Sequence, residues 1–115
     1  MILYTIMLFS LAVLVGMYMI YVGLRYRRGS LVLGVSHAGI ASTALVLLIV
    51  YLFHNPGHSI IYNDAALVFV MTLAGGLVLL ALREGRRPPP MVVVGVHVVM
   101  ALFGLLLLVV GYHQP

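Results

Sequence analysis

Residues 31–53 read LVLGVSHAGIASTALVLLIVYLF, twenty-three positions without one Asp, Glu, Lys or Arg. A helix needs about 20 apolar residues to cross a hydrocarbon core roughly 30 Å thick, so this stretch is long enough to do so. Residues 1–24, 65–82 and 91–112 form three further runs of the same kind. Every charged side chain lies between the runs, in the segments 25–30, 54–64 and 83–90. The sequence therefore predicts an all-α integral membrane protein, a single domain over 1–115 with four transmembrane helices. The first run is too long for a signal-peptide core, and its positive charges follow it, so it is read as a span.

Composition agrees. The chain has 115 residues, 64% of them hydrophobic and 7% charged, with a mean hydropathy of +1.24. Eight charged residues cannot provide the surface of a soluble domain. The absence of Cys excludes disulfides, thiolate metal sites and iron–sulfur clusters. An isoelectric point near 9.9 comes from arginines flanking spans, where topology and anionic lipid account for them and nucleic acid is not expected.

Arg25, Arg27 and Arg28 close the first span, and Arg83, Arg86 and Arg87 close the third, while the opposite side has no Lys or Arg. By the positive-inside rule both arginine loops are cytoplasmic, placing the 54–64 loop and both termini outside the plasma (inner) membrane. Tyr4, Tyr51, Tyr62 and Tyr112 then fall at the outer interface and Tyr26 at the inner one. Short loops make neighbours antiparallel, which gives an up-down-up-down bundle. Echoes between Leu24–Arg28 and Leu82–Arg87, and between Gly34–His37 and Gly95–His97, suggest two similar helical hairpins related by an axis along the membrane normal.

Within these uncharged runs, His37 and His97 stand out. Ionisable residues inside a bilayer are costly and face a partner, a cofactor or a water-filled path. Each is followed by small residues at i+4 and i+7: Ala41 and Ala44 after His37, Ala101 and Gly104 after His97. Residues at those steps share a helix face. Two imidazoles at one depth, with a slot beside each, suit a b-type haem held as an axial pair, as cofactors are held between facing helices of bundles. Arg27, Arg28 and Arg87 supply cations for the propionates.

The competing reading makes the histidines packing glue that hydrogen-bonds across helices; proton relay or another metal also remains open. His54 and His113 form a second candidate pair, 17 and 16 residues beyond the first. Those steps turn roughly 260° and 160° on a straight helix, which is poor geometry for a second haem. The outer loop His54-Asn55-Pro56-Gly57-His58, with Asp64, reads as solvated turn more readily than as a Zn or Cu site, because Pro56-Gly57 breaks any helical His pair. Met7, Met17, Met19, Met71 and Met100 read as packing, although a thioether is an available haem ligand.

The function expected is a small b-type membrane cytochrome, with one haem and room for a second, exchanging electrons with quinol or a partner redox subunit. The alternative is a haem-free accessory subunit of a larger respiratory complex; the partners expected are membrane lipid and other membrane redox subunits or, as a homodimer, a second copy of the chain. A transporter is disfavoured, since ion-driven transport usually needs an intramembrane carboxylate and Asp64 and Glu84 sit in loops. Paired carboxylates, nucleophile–base sets and phosphate loops are missing, so an electron carrier or subunit is expected over a stand-alone enzyme. In its histidines and topology the arrangement is similar in outline to four-helix membrane cytochromes b.

Overall fold

The computed structural model of this chain describes residues 1–26, 31–84 and 90–114. All regular structure among them is helical: α1 (Ile2–Tyr26), α2 (Leu31–His54), α3 (Ile60–Glu84) and α4 (Met91–His113). Each is long and apolar enough to cross a membrane. A helix of 25 residues, as α1 and α3 are, rises about 37 Å and exceeds the hydrocarbon thickness.

The helix ends follow from local chemistry. Pro90 precedes α4 with φ −58°, and its carbonyl accepts from the backbone N–H groups of Val93 and Val94, so the missing N–H of Pro costs nothing there. At the end of α2 the chain reaches Pro56-Gly57 and stops. Two exposed carbonyls of the last turn are satisfied by side chains: His54 Nδ1 lies 2.9 Å from Val50 O, and Asn55 Nδ2 donates to Tyr51 O at 2.9 Å. Ser59 then opens α3, its Oγ accepting from Ile61 N at 3.3 Å. The helix thus starts five residues before the apolar run at 65. Asn63 and Asp64 interrupt the hydropathy but lie within the helix, because Ser59 supplies a cap and neither residue breaks a first turn.

α1 packs chiefly on α2 and α3 on α4, with lighter α2–α3 and α1–α4 contacts; α1–α3 and α2–α4 are the diagonals of a square bundle. The molecule measures 46 × 20 × 20 Å. The ends of α1 and α3 and the starts of α2 and α4 form the arginine end. Tyr4, Tyr51, Tyr62 and Tyr112 mark the opposite, tyrosine end.

Burial is uneven along this length. In α1 the buried residues are Ile2, Thr5, Phe9 and Ala12; in α3 they are Tyr62, Ala65, Phe69 and Thr72. The two sets have identical spacing and stand 60 positions apart. α2 adds Ala44, Leu45 and Leu48, and α4 adds Gly104, Leu108 and Gly111. All lie in the tyrosine half or at its boundary. Residues 13–25, 31–43, 73–82 and 91–103 include no buried position.

The tyrosine half is held by aromatic rings set against small residues. Phe9 and Phe69, on diagonal helices, stack face to face with centroids 3.7 Å apart and planes 3° from parallel. Phe69 also lies on Gly104, where an added Cβ would come within 3.0 Å of the ring. Tyr62 covers Gly111 even more closely and meets Tyr51 edge-on at 6.0 Å. Close approach at small residues is how apolar helices associate in lipid, where burial of apolar area gives no advantage over contact with acyl chains. Thr5, Ser10, Thr43 and Thr72 each donate to the carbonyl four residues earlier, so these hydroxyls need no partner from another helix.

Candidate functional site: two histidines across the bundle core

α2 and α4 do not touch through their backbones, yet their histidines meet. The ring centroids of His37 and His97 are 6.2 Å apart with planes inclined at 70°. Both rings sit toward the arginine end from the Phe9–Phe69 stack, their seats Gly16 and Gly76 about two helical turns beyond Phe9 and Phe69. Both are partly buried.

What brings the rings into the core is glycine on the neighbouring helix. A Cβ added at Gly16 would lie 3.0 Å from His37 Cε1 and 3.3 Å from His37 Nδ1. One added at Gly76 would lie 3.1 Å from His97 Cε1. A side chain at either position would need the space the imidazole occupies. The same gap exposes a helix carbonyl, because the residue four positions after a carbonyl ordinarily covers it with its Cβ. His37 uses this opening: its Nδ1 lies 2.8 Å from Ala12 O, and the carbonyl can only accept, so Nδ1 carries the proton and donates. Nε2 is then the nitrogen with a free lone pair. At His97 the backbone of Thr72, 60 positions after Ala12, faces the ring. Hydrogen-bond geometry is not reached there, and His97 Nδ1 is buried without a partner.

The small residues on the histidine helices, expected to flank a cofactor, are met in part by aromatic rings. Ala44 is wholly buried in the aromatic core, and Gly104 is covered by Phe69. The space that the sequence left open on the tyrosine side of the imidazoles holds phenylalanine. Ala41 and Ala101 are half-buried next to it. The cleared positions beside the rings are Gly16, Gly75 and Gly76, on α1 and α3. Arg27, Arg28 and Arg87 lie outside the described residues; Arg25, in the last turn of α1, is exposed.

The outer pair is not brought together. His54 is exposed and turned onto its own helix at Val50 O, and exposed His113 meets the ring of Tyr112 at 5.5 Å. His58 is engaged within the turn, with Nδ1 2.6 Å from Asn55 O and Nε2 2.8 Å from Asn63 Oδ1. Among the described residues no three His, Asp or Glu side chains cluster as metal ligands would. Met7, Met17 and Met71 are exposed on the outside of the bundle, away from the rings.

No known protein family, curated protein or solved structure matches this chain. Its chemistry is therefore read from its own residues.

Gly16, the Ala12 carbonyl and the Phe9–Phe69 stack were not anticipated from sequence. The signal existed in an ungapped register. Phe9/Phe69, Gly16/Gly76, Arg27/Arg87, His37/His97 and Ala41/Ala101 are all identical pairs 60 apart. Reading the echo with gaps, through Gly34–His37 and Gly95–His97, hid the match in α1 and α3.

Proposed function

We propose that this chain is a small membrane cytochrome b, holding one haem between His37 and His97 and passing electrons within the bilayer to or from quinol or a partner redox subunit. The observation that carries the reading is the meeting of the two imidazoles across the core. Metal–imidazole bonds are about 2.0–2.1 Å for zinc, with iron close to that, so two imidazoles that held one metal between them would have ring centres roughly 6 Å apart. The separation found is 6.2 Å. Rotation about the metal–nitrogen axis is free, so an angle of 70° between the planes fits as well.

The surroundings of the rings support the same reading. Ligating histidines almost always donate their second nitrogen to a carbonyl or carboxylate, which fixes the tautomer; His37 does so to Ala12 O. The seats left by Gly16 and Gly76 hold the two imidazoles against the neighbouring helices, which supports the same reading. Bound haem would supply a reversible one-electron centre. The chain's own part is to hold two neutral imidazoles at fixed separation, to keep water from them within four apolar helices, and to offer arginine counter-charge at one end.

In the same reading, residues 1–60 and 61–115 are two similar hairpins about an axis that passes between the histidines and between Phe9 and Phe69. The arginine end lies in the cytoplasm, both termini outside and the protein in the plasma (inner) membrane, from the arginine asymmetry.

The test is a visible spectrum of the full chain purified from cells supplied with haem. A reduced-minus-oxidised α band typical of haem b is expected, lost in the double variant His37→Ala/His97→Ala. A folded wild-type protein that stays colourless, even after haem is added, refutes the cytochrome and leaves the accessory subunit.

A further inference from the structure

The two histidines are not equivalent. We infer that His37 is the anchoring ligand of the site and His97 the exchangeable one, so that a small neutral donor, such as carbon monoxide or imidazole, enters on the His97 side. The inference rests on the haem reading above.

The asymmetry begins in one residue. Val15 precedes Gly16 in α1, whereas Gly75 precedes Gly76 in α3. The His37 ring has a single narrow seat: its Cε1, Nδ1 and Nε2 all lie within 4 Å of the Cβ position of Gly16 alone. In that seat Nδ1 meets Ala12 O at 2.8 Å. The His97 ring spreads over both glycines, with Nδ1 at 3.6 Å from the Cβ position of Gly75 and 3.8 Å from that of Gly76. In this wider seat Nδ1 faces the Thr72 backbone but lies outside hydrogen-bond geometry. Thr72 therefore compensates only in part, and its hydroxyl donates to Val68 O in its own helix.

A ligand nitrogen whose ring N–H is bonded to a carbonyl is oriented before it binds and is made more basic. Loss of such an outer partner typically lowers metal affinity 10–100-fold. His37 has that partner and His97 lacks it. On ligand exchange His97 Nε2 would give up its place to the lone pair of the incoming donor while His37 Nε2 would keep its hold, and no electron would be transferred.

The experiment compares full-length His97→Ala, His37→Ala, Gly16→Ala and wild type, all reconstituted with haem and checked for helix content. His97→Ala is expected to keep haem near wild-type stoichiometry as a five-coordinate species, which added imidazole returns to a six-coordinate spectrum. His37→Ala is expected to lose haem affinity at least 10-fold more than His97→Ala. Gly16→Ala keeps both ligands but displaces the His37 ring from Ala12 O, so it should weaken haem binding several-fold and alter the low-spin electron-resonance signal. Reduced wild type should take up carbon monoxide, and His37→Ala should not gain by it. Equal haem loss in the two histidine variants, or retention in His37→Ala with loss in His97→Ala, overturns the inference. So does an unaltered signal in Gly16→Ala. Wild type that fails to bind haem at all overturns the parent reading instead.

Discussion

Replacing Gly104 by Ala adds one methyl group against the stacked rings of the core, and the structure sets the size of its effect. The new Cβ would stand 3.0, 3.0 and 3.2 Å from three atoms of the Phe69 ring. Relief requires the ring to retreat by roughly half an ångström to reach ordinary carbon–carbon contact near 3.5–4.0 Å. Phe69 cannot retreat freely, since Phe9 is stacked on it at 3.7 Å. The displacement must pass to the second ring. Overpacking of this kind costs about 1–3 kcal/mol, while exchanging Gly for Ala within a helix returns about 1 kcal/mol. The net expectation is a loss of about 0–2 kcal/mol. Gly39→Ala provides the reference, because nothing lies within 4 Å of its added Cβ and only the helix preference acts. The assay is equilibrium unfolding in mixed micelles, followed by circular dichroism, for wild type, Gly104→Ala, Gly39→Ala, Phe69→Leu and Gly104→Ala/Phe69→Leu. The first variant should fall below the Gly39→Ala reference by about 1–3 kcal/mol. The penalty should shrink in the Phe69→Leu background, giving a coupling of about 0.5–3 kcal/mol between the two sites. Gly104→Ala matching Gly39→Ala, with no coupling to Phe69, would refute the packing argument.

Other consequences can be measured separately. Phe9→Ala should destabilise by about 3–5 kcal/mol in the same unfolding assay, since it removes one ring of the stack and leaves a cavity. His58→Ala should leave any haem spectrum unchanged, because its nitrogens are engaged by Asn55 and Asn63 in the turn; loss of the band there would move the site to the outer loop. Single cysteines placed at Ser30 and at Gly57 should label from opposite sides of the membrane, with position 57 reacting in intact cells; the reverse pattern would invert the proposed orientation.

Much of the architecture was legible because membrane insertion leaves a coarse signal. Four uncharged runs, with arginine confined to their ends, define the number of helices and their alternation without any knowledge of packing. The start of α3 was not legible, since hydropathy marks the lipid-immersed part of a helix and Ser59 extends the helix beyond it. The meeting of His37 and His97 followed from depth and helix face, which a sequence encodes. The identity of their neighbours did not, because the face of α1 that meets α2 is no more apolar than its other faces. Gly16 is visible only through what its missing side chain permits on another helix. Ala44 and Gly104 show the converse: small residues near a histidine admit a ring, and whether that ring is a cofactor or a phenylalanine depends on α1 and α3.

The uneven burial along the bundle also bears on how the molecule is put together. Among the described residues every buried one lies in the tyrosine half or at its boundary, so that half can assemble as soon as the four helices are inserted, with the Phe9–Phe69 stack as its clasp. The arginine half is joined by fewer interlocked side chains and should open at lower free energy, as weakly packed segments do. Amide exchange should then be fastest among residues 13–25, 31–43, 73–82 and 91–103 within the helices. A planar guest arriving from the arginine end would need to part only these segments, leaving the clasp shut. Maturation of the protein would be a late, local event on a scaffold already standing.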